Sequence, residues 1–174
     1  MKVVKFIILF TILPIVSTSS CEKTTSPPRL TFGTVTAEMN GVPWTANINA
    51  GLINNADAIL IGFENRNIVA PLFQDLIFNI PLEIRSFNSI DFESREAGAL
   101  SHIVEVDAIC ELYELAENSD SQIELTHLDT IADKVAGKFD LTLVRDSEDG
   151  PCFSGLPDTL RFANGVFESE ISRD

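Results

Sequence analysis

The stretch 35–50, "VTAEMNGVPWTANINA", carries the clearest hydrophobic pattern in the chain. Val35, Ala37 and Met39 alternate with Thr36 and Glu38, and after Asn40-Gly41 the apolar positions resume at Trp44, Ala46, Ile48 and Ala50 between Thr45, Asn47 and Asn49. Side chains on a strand point alternately to its two faces, so period two on both flanks predicts a hairpin with one buried face. Asn-Gly suits the turn because both residues adopt positive φ. Pro43 has no N–H to give a ladder and belongs beside the turn or on an edge. Trp44 shares the face of Ala46 and Ile48 and is expected in the core.

Further strands are predicted over 58–64, 75–80, 102–115, 122–127, 137–145, 159–163 and 166–171. In 137–145, Phe139, Leu141 and Leu143 face one way and Lys138, Asp140 and Thr142 the other. A second Asn-Gly, Asn164-Gly165, separates the last two apolar runs and predicts a tight turn or a bulge. "LYELAEN" (112–118) could form a helical turn, but it is short and has β-branched neighbours. With no βαβ alternation, the pattern predicts an all-β fold, an antiparallel β-sandwich or barrel of about eight to ten strands.

The N-terminus follows another logic. Lys2 and Lys5 precede the apolar run from Phe6 to Leu13, and Pro14 and the small residues Ser17–Ser20 end it. A basic start, a short apolar stretch and small residues make a secretory signal. The run falls short of the roughly 20 apolar residues that a membrane-spanning helix needs. Cys21 follows directly, and Thr18-Ser19-Ser20-Cys21 resembles the lipobox of bacterial lipoproteins, with Thr18 where that pattern carries leucine or a similar residue. The resemblance implies a signal peptide over 1–20 and a lipid on Cys21. Plain cleavage to a secreted, soluble product is the alternative. The segment 21–29 then reads as lipidated cysteine plus flexible tether, since "EKTTSPPR" has no large apolar residue and Pro27-Pro28 favours an extended chain. Residues 30–174 form a single β domain.

Composition narrows the partners. The chain has 26 acidic and 12 basic residues, a net charge of −14, and loss of Lys2 and Lys5 with the signal takes it to −16. Such a surface argues against nucleic acid and anionic headgroups as partners. Apolar residues are plentiful and the chain has twelve phenylalanines, so disorder is not implied. With Cys21 acylated, Cys110 and Cys152 remain, and outside the cytoplasm thiols tend to be oxidised. A Cys110–Cys152 disulfide would close a loop of about 40 residues and contribute up to about 4 kcal/mol on the chain-entropy model. Two separate thiols are the alternative.

Three segments in order carry a wider resemblance. "VTAEMNGVPWTANI", the Gly137-Lys138-Phe139 strand within "QIELTHLDTIADKVAGKFDLTLV", and the Asn164-Gly165-Val166-Phe167 ending resemble a group of small lipoproteins of Bacteroidota-type bacteria. The resemblance spans most of 35–171 and matches 65–100 loosely. It implies an exported β domain and assigns no chemistry. Asp129-Thr130-Ile131 and Asp158-Thr159-Leu160 likewise resemble the O-glycosylation sequon of exported proteins from such bacteria, which makes Thr130 and Thr159 acceptor candidates.

Motifs that carry catalysis are weak. His127 shares a predicted strand face with Ile123 and Leu125 and reads as a core or edge residue, and His102 reads as a loop residue ahead of a strand. Neither has zinc-ligand spacing. Asp146, Glu148 and Asp149 with Gly150 offer calcium-type oxygens, but their spacing is not that of an EF-hand and a solvated turn explains them. Ser154 in "CFSGLP" has no base nearby in sequence. No cofactor, metal or nucleotide motif is expected. The pattern predicts a non-enzymatic binding or interaction module, lipid-anchored in the cell envelope, at the outer membrane, meeting an envelope protein or glycan. Two alternatives stand beside it: a β-barrel carrier of a small apolar ligand, and a hydrolase using paired carboxylates.

Overall fold

The computed structural model describes residues 33–53, 57–66, 72–88, 91–92, 94, 97–105, 108–146 and 155–173. Ten strands carry them: β1 (Thr34–Met39), β2 (Val42–Ile53), β3 (Ala58–Asn65), β4 (Leu72–Pro81), β5 (Ser86–Phe87), β6 (Gly98–Glu105), β7 (Ala108–Leu115), β8 (Gln122–Asp129), β9 (Lys134–Arg145) and β10 (Thr159–Ser172). The all-β expectation holds, at ten strands.

The strands form one sheet that closes on itself. β2, β3, β4, β6, β7, β9 and β10 are successive neighbours, joined by antiparallel pairings from β2 round to β10. β10 then returns to β1, which pairs β2, and touches β2 directly in parallel at Ile171↔Ala50. β9 shares one edge between two partners: 143–145 pair with β7 and 134–140 with β8, and β8 holds the two-residue β5. Closure leaves few unpaired edges, which otherwise recruit other chains.

The Asn40-Gly41 turn forms as predicted, with φ of 52° and 78°. Asn164-Gly165 is a bulge and not a turn. β10 runs through it, and three steps from Phe162 to Gly165 oppose two from Leu141 to Phe139 on β9. The extra residue switches the inward phase from Leu160 and Phe162 to Phe167 and Ile171, so both apolar runs face the core. The predicted strand 102–115 divides into β6 and β7, which pair with each other. His102 therefore lies inside β6 and not in a loop, and the segment 112–115 is strand and not helix.

Phenylalanines fill the interior. Phe63, Phe78, Phe139, Phe162 and Phe167 are fully buried. Ring centroids lie 4.9 Å apart for Phe63–Phe78, 5.1 Å for Phe78–Phe139 and 5.6 Å for Phe63–Phe167. Edge-to-face contacts of this kind add to the gain from burial. Trp44 is buried as expected, 5.1 Å from Phe162. Its indole N–H donates to Gln74 Oε1 at 3.1 Å, and Gln74 Nε2 donates to Ser101 Oγ at 3.1 Å. The polar groups that accompany the aromatic core are thereby partnered.

The two glycine-phenylalanine motifs meet face to face. Gly137 pairs with Phe167, and Phe139 pairs with Gly165. A Cβ on Gly137 would lie 2.4 Å from the Phe167 ring and 2.4 Å from the Glu124 carbonyl, and one on Gly165 would lie 2.6 Å from the Phe139 ring. Each glycine is the space that the opposite ring occupies. Gly137→Ala and Gly165→Ala should each destabilise the fold by about 1–3 kcal/mol, the usual cost of overpacking a filled core. Gly62→Ala is the control, since its Cβ would meet only the Asn49 carbonyl at 3.9 Å. Urea unfolding of the three variants checks this, and equal midpoints would remove the role given to the pairs.

Candidate binding trough and polar latch

Along most strands polar residues alternate outward, but the adjacent β3, β4 and β6 also carry aliphatic side chains on their outer face. Leu60 on β3, Ile77 on β4 and Leu100 on β6 point away from the core, and Leu60 and Leu100 are 40% and 36% exposed. Register places Gly62, Ile77, Leu100 and Glu114 in one row across four strands, with Leu60, Asn79 and Gly98 in the next. Gly62 and Gly98 leave room between the leucine and isoleucine side chains. The result is an open trough of about 780 Å³, with Leu60, Ile77, Gly98 and Leu100 on its floor. Phe92, Ala97 and the turn 116–119 complete its lining. Its charged lining residues are Glu114 and Glu117.

One row further along the same outer face, Glu64, Asp75 and His102 are register neighbours. His102 Nε2 lies 3.3 Å from Asp75 Oδ2, an ion pair once the imidazole is protonated. Burial raises the Asp75 pKa, and the nearby His102 partly opposes the rise. Among the described residues no group of three His, Cys, Asp or Glu side chains could hold a metal ion.

The second polar constellation lies inside. A bulge in β7 sets Ile103 opposite Glu111 and Val104 opposite Ile109, so consecutive residues Cys110 and Glu111 both turn inward. The Glu111 side chain is 4% exposed and lies 3.4 Å from Arg145 Nη2. The Tyr113 hydroxyl is 3.0 Å from Glu111 Oε2 and 3.2 Å from the Pro157 carbonyl, and accepts from Arg145 Nη2 at 2.9 Å. Arg145 also donates to the Leu156 carbonyl, and burial raises the Tyr113 pKa. Asp146 N–H donates to the Leu112 carbonyl at 2.9 Å, and Arg145 N–H to the Asp158 carbonyl at 2.8 Å. The cluster fastens the chain on both sides of residues 147–154 against β7.

The sequence-predicted site residues distribute as follows. Cys110 is buried on β7 and disulfide-bonded. Cys21, Cys152, Ser154, Glu148 and Asp149 lie outside the described residues. Thr130 and Thr159 are exposed, on the turn after β8 and at the start of β10. His127 leaves the face of Ile123 and Leu125, because a bulge between Leu125 and His127 turns it to solvent. Sequence reasoning missed the trough and the Glu111–Tyr113–Arg145 latch. The trough had a signal: "ILI", "LIF" and "AL" (59–61, 76–78 and 99–100) are apolar on both strand faces. The latch had none, since two of its members face inward only because of the β7 bulge or a long-range pairing.

Removing Arg145 takes a cation at 3.4 Å away from the buried Glu111 carboxylate. Arg145→Met should destabilise by about 3 kcal/mol, the low end for a broken buried pair, because the guanidinium keeps part of its surface in water. Glu111→Leu combined with Arg145→Met should recover most of that loss, as hydrophobic replacement of a whole pair often does. Urea unfolding of both variants measures the difference. No family model matches the chain, and neither does any curated protein or any solved structure.

Proposed function

We propose that the protein is a lipid-anchored component of the cell envelope, at the outer membrane, and works as a non-enzymatic binding module. The outer-face trough receives an extended apolar segment of an envelope protein that also carries cationic side chains. One observation carries this reading: phenylalanines fill the interior, while Leu60, Ile77 and Leu100 stay half-exposed in a trough whose charged lining is acidic. Exposed apolar rows bounded by polar residues mark interaction surfaces. We therefore place the ligand on the outer face of β3, β4 and β6. The Glu114 and Glu117 carboxylates favour a cationic partner.

The anchor reading rests on the signal-like N-terminus and the position of Cys21. Disulfide bonding of Cys110 agrees with export, since such bonds persist in oxidising compartments. Cys152 is the partner we assign to it. The fastenings at Asp146–Leu112 and Arg145–Leu156 hold both flanks of 147–154 near β7, and this pairing leaves Cys21 for the lipid. Of the two exposed acceptor candidates, Thr159 lies beside Asn40 and is the one we assign to a glycosyltransferase.

A synthetic peptide alternating leucine and lysine serves as the probe for the trough. It should bind the wild type in fluorescence anisotropy, and Leu100→Ser, which removes apolar contact without adding charge, should weaken binding at least about tenfold, the effect of losing about 1.4 kcal/mol. Equal affinity of the two proteins would take the site away from the trough. For the anchor, Cys21→Ala should move the protein from the membrane to the soluble fraction and remove an acyl increment from its intact mass. Unchanged partitioning would refute the lipid.

A further inference from the structure

The end of the ring opposite the Asn40-Gly41 turn carries a second set of apolar side chains, some half-buried against the core and two exposed. Leu52 of β2, Leu82 after β4, Leu128 of β8 and Ile131 line an open trough of about 750 Å³, together with Thr130 and Arg173. Ile131 is 93% exposed, and Ile84, in the chain that follows β4, is 63% exposed. Ile131 and Ile84 are the exposed members, and Leu52, Leu82 and Leu128 lie half-buried against the core behind them.

The turn that presents Ile131 is firmly held. Asp129 Oδ1 accepts the backbone N–H groups of Ile131 at 2.9 Å and Ala132 at 2.8 Å. Those bonds, the one from Ala132 first, lower the Asp129 pKa. Ile171 N–H donates to the Asp133 carbonyl at 2.8 Å, and Arg173 Nε donates to Asp133 Oδ1 at 2.6 Å. Ile131 therefore projects from a fixed support.

The path of the chain brings it to this end. Gly33 N–H donates to the Glu168 carbonyl, and β1 runs from there towards Asn40. Glu168 lies three residues before Ile171, which meets the turn, so Gly33 joins the ring about 10 Å from the tip. From Cys21 to Gly33 the chain can reach at most about 40 Å. Gly33 lies about 10 Å from this tip and about 23 Å from Asn40, so a lipid on Cys21 brings this end closer to the membrane than the Asn40-Gly41 turn. Charge does not oppose the approach. Arg85 pairs with Glu83 at 3.0 Å and Arg173 with Asp133 at 2.6 Å, so part of the acidity is locally balanced.

We propose that this end is the membrane-facing surface of the protein, and that Ile131 enters the headgroup–acyl boundary of a zwitterionic lipid surface. The proposal rests on the reading of Cys21 as a lipid anchor. Its consequence is a fixed orientation: the Asn40-Gly41 turn points away from the membrane and the Leu60–Leu100 trough opens sideways.

The test uses the full mature protein purified from membranes and reconstituted in vesicles of phosphatidylcholine and phosphatidylethanolamine. Ile131→Cys and Val42→Cys each carry an environment-sensitive fluorophore; Val42 is 64% exposed beside the Asn40-Gly41 turn, so neither change disturbs the core. A quencher attached to lipid headgroups should quench the label at 131 several-fold more than the label at 42. Equal, weak quenching with the protein still on the vesicles would overturn the proposal and leave the anchor standing, as it would if a protein partner covered this end instead. Protein that lacks an acyl group and does not float with vesicles would overturn the anchor reading, and the proposal with it.

Discussion

The reciprocal pairing of Gly137 with Phe167 and of Phe139 with Gly165 is the contact on which the rest of the core is arranged. Two rings and two missing side chains interlock across one strand pair. Phe63 from β3 and Phe78 from β4 then pack on the rings from the far side of the enclosure. A side chain on either glycine would separate β9 from β10 or turn the rings outward. The opposite wall would then lose its contacts, because a filled interior has little slack.

Bulges decide which residues that core can use. The extra residue at Asn164-Gly165 brings Leu160 and Phe162, then Phe167 and Ile171, to one face of a single long strand. The β7 bulge brings Cys110 and Glu111 inward together, which supplies both the disulfide and the carboxylate that Arg145 and Tyr113 engage. The β8 bulge does the reverse for His127 and sends it to solvent. One inserted residue reverses the phase of everything beyond it, so three local irregularities set much of the chemistry.

The outer surface divides the remaining work. Strands β3, β4 and β6 carry aliphatic side chains on the outer face as well as the inner, and Leu60, Ile77 and Leu100 stay partly exposed there. The acidic residues beside that row and the locally paired charges at the Ile131 end give the two apolar areas different surroundings. On our reading the first meets a cationic protein segment and the second a lipid surface, each matched to the charge around it.

The alternation around Asn40-Gly41 and in 137–145 was enough to establish an all-β chain, the first hairpin, the burial of Trp44 and the inward set Phe139, Leu141 and Leu143. Such features depend on neighbours two residues apart, and a pattern read along the chain contains them. Tertiary structure alone decided that 159–171 is one strand, that 102–115 is two, that His102 lies beside Asp75, and that Arg145 reaches Glu111. Each of these depends on which strands become neighbours and on where one extra residue shifts the register. Pairing across the ring fixes both, and no periodicity within a single strand encodes them.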